Sequence, residues 1–149
     1  MRKTILALAA ILMIGLSAFA VKGGDLNERA RAAFSKDFST AKNAVWQYTE
    51  NLAKVTFTFN DQVLTAFYDP NGDLQAIARN ILSTQLPLNL LAELKNNYNG
   101  YWISDLFEMA ADDQTTYYIS LENANRTIVL KSEGTEGWRV FSKIKKDEE

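Results

Sequence analysis

KVTFTFNDQVLTAFYDPNGD, residues 54–73, holds two strands and two turns in twenty residues. Val55, Phe57 and Phe59 alternate with Thr56 and Thr58, the period-2 pattern of a half-buried strand rich in β-branched and aromatic side chains. Asn60-Asp61 turns the chain into a second strand, Val63–Tyr68. That turn could hold two or three residues, and each choice pairs a different set of side chains. Asp69-Pro70-Asn71-Gly72-Asp73 is a further turn, with Pro and Gly where turns favour them. Leu74–Ile81 follows as the next strand.

Working outward, Asp25 can N-cap a helix whose third residue is Glu28, a capping-box arrangement. Leu26, Ala30, Ala33, Phe34 and Phe38 give that helix its apolar stripe, and Ala44–Tyr48 after it reads as strand. Pro87 opens a second helix, with Leu88, Leu91, Leu94 and Tyr98 as its stripe and Asn99-Gly100 as its stop. Tyr101–Phe107, Thr116–Leu121, Arg126–Lys131 and Trp138–Ile144 read as strands, with Asp112-Asp113 in a loop. Both halves thus run helix first, then four strands. Phe57-Thr58-Phe59 aligns with Ile119-Ser120-Leu121, Val63 with Ile128 and Gly72 with Gly137, at offsets of about 62 to 65 residues. The expected fold is α+β, a tandem duplication of a helix plus a four-stranded antiparallel sheet, with repeats over about 25–81 and 86–144.

Upstream of the first helix, Arg2 and Lys3 precede an apolar run from Ile5 to Leu16, interrupted only by Gly15. Ala18-Phe19-Ala20 then supplies a signal-peptidase pattern. The run is short for a bilayer span, which needs about 20 apolar residues. Residues 1–20 are therefore predicted to be a secretory signal peptide, with 21–149 as one domain working in the periplasm or outside the cell. No cysteine stands near the cleavage site to carry a lipid, so the expectation is a soluble protein, not a lipoprotein, free of the membrane after cleavage.

The chain has no Cys and no His. Ser-His-Asp and Cys-His nucleophile systems, ordinary zinc sites and haem held by a proximal His are excluded by composition. Removing Arg2 and Lys3 from the 16 basic residues leaves 14 against 18 acidic ones, a mature net charge of −4. Lys143, Lys145 and Lys146 are followed at once by Asp147, Glu148 and Glu149, so no basic stripe suits nucleic acid.

Few motifs invite chemistry. Asp69, Asn71 and Asp73 match the start of a calcium loop, but Leu74 and Asn80 stand where that loop needs Gly and Glu, and a plain turn explains the same residues. Asp112-Asp113, Asp105 and Glu108 could supply carboxylates for glycoside hydrolysis, yet no sequence feature holds any pair at a defined separation. Ser35-Lys36 and Ser142-Lys143 are neighbours in sequence, and neighbours in a strand face opposite ways. No catalytic, metal-binding or cofactor-binding residue is expected. The aromatics offer more: Trp46 and Tyr48 share a strand face, Tyr117 and Tyr118 split between faces, and Tyr101 and Trp102 do the same. A sheet covered by helices on one side would show such surplus rings on the other, where Trp and Tyr anchor interfaces. Trp46, Tyr48, Tyr118 and Trp138 are the candidate protein-binding residues. The competing expectation is that they fill a second layer of core.

Ala33-Phe34 with Phe38, Ala44-Val45-Trp46, Val55–Phe59, Ala66-Phe67-Tyr68-Asp69 with Gly72-Asp73-Leu74, Leu86-Pro87 and Tyr98-x-x-Tyr101 together resemble the beta-lactamase-inhibitor-like, PepSY-like periplasmic proteins. The similarity runs over nearly all of 21–144. It implies the tandem helix-plus-four-strand fold, an exported location, no known enzyme activity and, as a class of function, restraint of a hydrolase or peptidase. The expected partner is another envelope or secreted protein. The alternative is a small-ligand-binding protein with an apolar cleft between helix and sheet. N-terminal sequencing of the exported protein should return Val21 as the first residue; recovery of Met1 would disprove the cleavage.

Overall fold

The computed structural model describes residues 24–146. Among them are two α-helices and eight strands, in the order α1 (Gly24–Asp37), β1 (Lys42–Thr49), β2 (Leu52–Phe59), β3 (Gln62–Tyr68), β4 (Leu74–Asn80), a 3-10 turn (Ser83–Gln85), α2 (Leu88–Asn97), β5 (Trp102–Ala111), β6 (Gln114–Glu122), β7 (Arg126–Glu133) and β8 (Arg139–Lys145). The strands take sequence order in an eight-stranded sheet. The chain divides into two compact units with the boundary between Ile77 and Ala78, inside β4. The predicted signal peptide lies outside the described residues.

In the first unit the β2–β3 register follows from its turn. Phe59 faces Gln62, so the loop is two residues long, and Asn60 and Asp61 sit at φ 48° and 61°. Positive φ at both central positions marks a turn whose twist matches the flanking strands, and Asn and Asp tolerate that region better than most residues. The register places Val55 opposite Ala66, Phe57 opposite Leu64 and Ala53 opposite Tyr68. Ala30 and Phe34 of α1 bury against this face, with Ala33 and Phe38 beside them. Phe34 meets the Phe57 ring edge-on at 4.8 Å. Leu26, the first member of the expected stripe, lies among the residues whose side chains are outside the description. The helix already contains Gly24, so Asp25 stands within it and is not its cap.

The turn before β4 is tied by its own aspartate. Asp69 Oδ1 accepts hydrogen bonds from the Asn71 and Asp73 amides at 2.9 and 3.0 Å, and Oδ2 accepts from Gln75 Nε2 at 3.2 Å. Gly72, at φ +85°, lies so close to α1 that a Cβ there would stand 3.1 Å from the Cβ of Arg29.

In the second unit Leu86, Leu90 and Leu94 pack on Leu106, Ile119, Leu121, Ile128 and Leu130. The expected stripe of α2 needs correction. Leu88 is 84% exposed, whereas Leu90, absent from that stripe, is fully buried. Pro87 is the N-cap, with extended ψ of 139°, so the helix begins one residue later than a first-turn proline implies. The buried row is Leu90 and Leu94, flanked by Leu91 and Tyr98. Asp112-Asp113 proves to be a second two-residue turn, at φ 49° and 60°, with Ala111 facing Gln114.

Leu90→Ala should cost about 2–5 kcal/mol in denaturant melts, as buried leucines do, while Leu88→Ala should stay within about 0.5 kcal/mol of the parent. Equal losses would mean the helix face is wrongly assigned.

Candidate functional site

Residues paired directly across antiparallel strands share a face, so the registers place each candidate aromatic. Trp46 faces Val55 and Tyr48 faces Ala53, which puts both on the side packed by α1 rather than on the side away from it. A bulge between Lys42 and Val45, with Asn43 at φ 56°, inserts one extra residue in β1 and shifts which of its side chains meet that face. The Trp46 ring lies parallel to Tyr48 at 5.7 Å, meets Phe34 edge-on at 5.3 Å and has the Arg31 guanidinium 5.1 Å above it. Both rings are half-buried. The Tyr48 hydroxyl is buried without a hydrogen-bond partner among the described residues.

The other two candidates are core residues. Trp138 is 8% exposed, its indole N–H donates to the Leu90 carbonyl at 3.0 Å, and its amide donates to Glu93 Oε2 at 3.1 Å. It fastens β8 to α2. Tyr118 is fully buried, stacked on Phe107 at 5.1 Å and met edge-on by Phe141 at 5.8 Å. Neither can touch a partner without repacking. The mistake has a physical source: alternation shows which side chains share a face but not whether both faces are covered.

Among the described residues the exposed aromatic is Trp102. It faces Glu122, which faces Thr127, which faces Ile144, so one row crosses β5 to β8. The row lies on the side away from α2, because Leu121 and Ile128, next to it in sequence, belong to the helix-packed core. Trp102 is 54% and Ile144 59% exposed. Lys146 joins them, with Nζ 5.2 Å from the Trp102 ring and 2.7 Å from the Glu122 carboxylate. Hydrogen bonding from Lys146, then from Ser104, holds the Glu122 carboxyl below its ordinary range. The result is two large apolar side chains framed by a paired acid and base. Such a surface suits contact with another protein, where desolvated aromatics supply affinity and rim charges set orientation.

The acids expected at a strand end do not form a hydrolytic pair. Asp105 faces Ser120 and Glu108 faces Tyr117, so they occupy opposite sides of β5. Asp105 accepts from Asn80 Nδ2 at 2.7 Å, and Glu108, only partly exposed, is paired with Arg79. Ser142 and Lys143 likewise face different sides, opposite Val129 and Ile128.

No protein-family model matches the chain, and no curated protein matches it. Solved structures do. A DUF2874 family protein from Bacteroides ovatus superposes at TM-score 0.69 and 11% identity over 83% of this chain and 89% of that one. A "putative periplasmic" protein from Bacteroides eggerthii does so at 0.69 and 10%, over 86% and 90%. A BLIP-like protein from Bacteroides fragilis matches at 0.64 and 13%, over 79% and 84%. The chain therefore has a BLIP-like fold. Among the described residues no helix is long and apolar enough to cross a membrane.

Burial, and then the Glu133 charge, push the Tyr118 phenol from 10.0 up to about 12. Between those values the native state keeps a proton that the unfolded chain has lost, so stability is intact below pH 10 and falls as pH rises toward about 12. Tyr68 acts in the same direction, through burial, then the Asp37 charge and its hydrogen bond to Asp37. The buried Tyr118 hydroxyl has no partner among the described residues. Tyr118→Phe should therefore leave stability at pH 7 unchanged or raised by up to about 1 kcal/mol, and make the alkaline loss shallower. Melts at neutral pH and near pH 11 test both, and a large neutral-pH loss would mean the hydroxyl is bonded after all.

Proposed function

We propose that the protein is an exported, non-enzymatic binding module that docks another envelope or secreted protein on the side of its second unit away from α2, around Trp102. The observation that carries this reading is the exposed row of Trp102 and Ile144 beside the Lys146–Glu122 pair. Core packing does not require an indole left half in water, and interface anchors are most often Trp, Tyr or Arg. The half-exposed stack of Trp46 and Tyr48 is the first unit's contribution to the same class of contact. The BLIP-like name of the Bacteroides fragilis neighbour makes secreted hydrolases and peptidases the first partner class to test. The predicted signal peptide and the periplasmic name of the Bacteroides eggerthii neighbour support a periplasmic or secreted location.

The domain is further read as a duplication of one helix-plus-four-strand element, over about 25–81 and 86–144. Its best support is a shared packing device. Gly72 lies against Arg29 of α1, and Gly137, at φ +103°, lies against Glu93 of α2, where a Cβ would stand 3.2 Å from Oε2. Each glycine immediately precedes the last strand of its unit or the turn into it. Arg29 and Glu93 hold corresponding places in the two helices.

The test compares capture with stability in one variant. Trp102→Ala should weaken capture of a partner from periplasmic extract by about 2 kcal/mol or more while the melting temperature stays near the parent's. Trp46→Ala should lower both, because its ring also packs on Phe34. If Trp102→Ala captures the same proteins as strongly as the parent, the assigned surface is wrong.

A further inference from the structure

A cleft of about 280 Å³ opens in the second unit beside the C-terminal half of α2. Its apolar wall is Leu91 and Leu94 from the helix with Ile103 and Leu121 from β5 and β6. Tyr98 and Tyr101, whose rings meet at 6.1 Å, stand at the helix end, and Lys95 supplies the one charged group of the lining. Among the described residues Lys95 has no ion-pair partner. The nearby Glu93 accepts the Trp138 amide and does not line the cleft. Ile103 is 43% exposed there, although it pairs with the fully packed Leu121.

We propose that this cleft binds a small monocarboxylate with an apolar tail of about eight carbons, the tail on the leucine and isoleucine wall and the carboxylate on Lys95. Charge selects the head group: Lys95 is the one charged residue of the lining and no carboxylate lines it, so an anionic head gains an ion pair that a neutral head forgoes and a cationic head meets a like charge. Volume sets the scale of the tail. The cleft is open to solvent, and its volume of about 280 Å³ accommodates a chain of octanoate length, whereas a longer chain would extend into water. Tyr98 does not compete as an anion, because burial, then the charges of Glu93 and Tyr101, raise its phenol above its ordinary value. The site is separate from the docking surface, since Ile103 and Leu121 share the helix-packed side while Trp102 lies on the other.

Titrating the isotope-labelled full protein with octanoate, followed by amide chemical shifts, tests this directly. Saturable shifts should cluster at Leu91–Tyr101, Ile103 and Leu121. Octan-1-ol should bind about fivefold more weakly, and octylammonium more weakly still. Lys95→Gln, an exposed change that leaves the fold intact, should reduce octanoate affinity about fivefold, to the octanol level, and leave octanol unchanged. Raising the salt concentration should narrow the gap between the two ligands. Shifts centred on Trp102 and Ile144, octanoate affinity unaltered by Lys95→Gln, or no saturation at all would each overturn the proposal. None of those results bears on partner capture by the Trp102 surface.

Discussion

Strand parity is the constraint on which the rest of the molecule depends. At Asn60-Asp61 two consecutive residues sit at positive φ, which closes the β2–β3 hairpin with a loop of two residues and pairs Phe59 with Gln62. A loop one residue longer would turn Phe57 and Val55 out of phase with Leu64 and Ala66, and the face on which α1 rests would no longer be apolar. Asp112-Asp113 does the same for β5 and β6. The bulges at Lys42/Val45 and Ile103/Asp105 then reset parity near the start of the first strand in each unit. Where Trp102 finishes is decided at the second of these bulges, more than by hydrophobicity.

The helices are secured by a few close approaches. In the second unit the Trp138 indole reaches across to a backbone carbonyl of α2, and Glu93 takes the amide of the same residue. A buried indole N–H needs such an acceptor, so the bond both satisfies the donor and sets the helix position. Gly137 makes the approach sterically possible, and Gly72 does the same beneath Arg29 in the first unit. Hydrogen bonding of buried polar groups is incomplete elsewhere: the Tyr48 and Tyr118 hydroxyls are buried and have no partner among the described residues.

Asp69 is engaged in its own turn, and Glu108 and Glu122 are paired with bases, while composition removes the nucleophile–base systems that need His or Cys. In the second unit Trp102, Ile144 and the Lys146–Glu122 pair face solvent on one side, and the cleft lined by Lys95 opens on the other. These two surfaces call for different occupants because one is a row of side chains crossing four strands while the other is a cleft of about 280 Å³.

Much of the fold was legible because strands and amphipathic helices write their period into the chain. The alternation at Lys54–Phe59, the turn residues at Asp69–Asp73 and the helix-then-four-strands order all correspond to observed elements, within a few residues at their ends. Composition alone excluded histidine and cysteine chemistry. The α2 stripe was misread because leucines at 88, 90, 91 and 94 permit more than one apolar face, and only contact with Ile119 and Leu130 selects Leu90. The β2–β3 register was undecidable because loops of two and three residues both fit the sequence. The site aromatics depended on tertiary structure for the same reason: period 2 groups side chains by face, but whether a face meets a helix, another layer of side chains or water is a property of distant residues. Sequence by itself determined the elements, the excluded chemistries and the kinds of residue available for recognition; the packed structure decided that Trp138 and Tyr118 are core and Trp102 is surface, because burial depends on what the rest of the chain brings to each face.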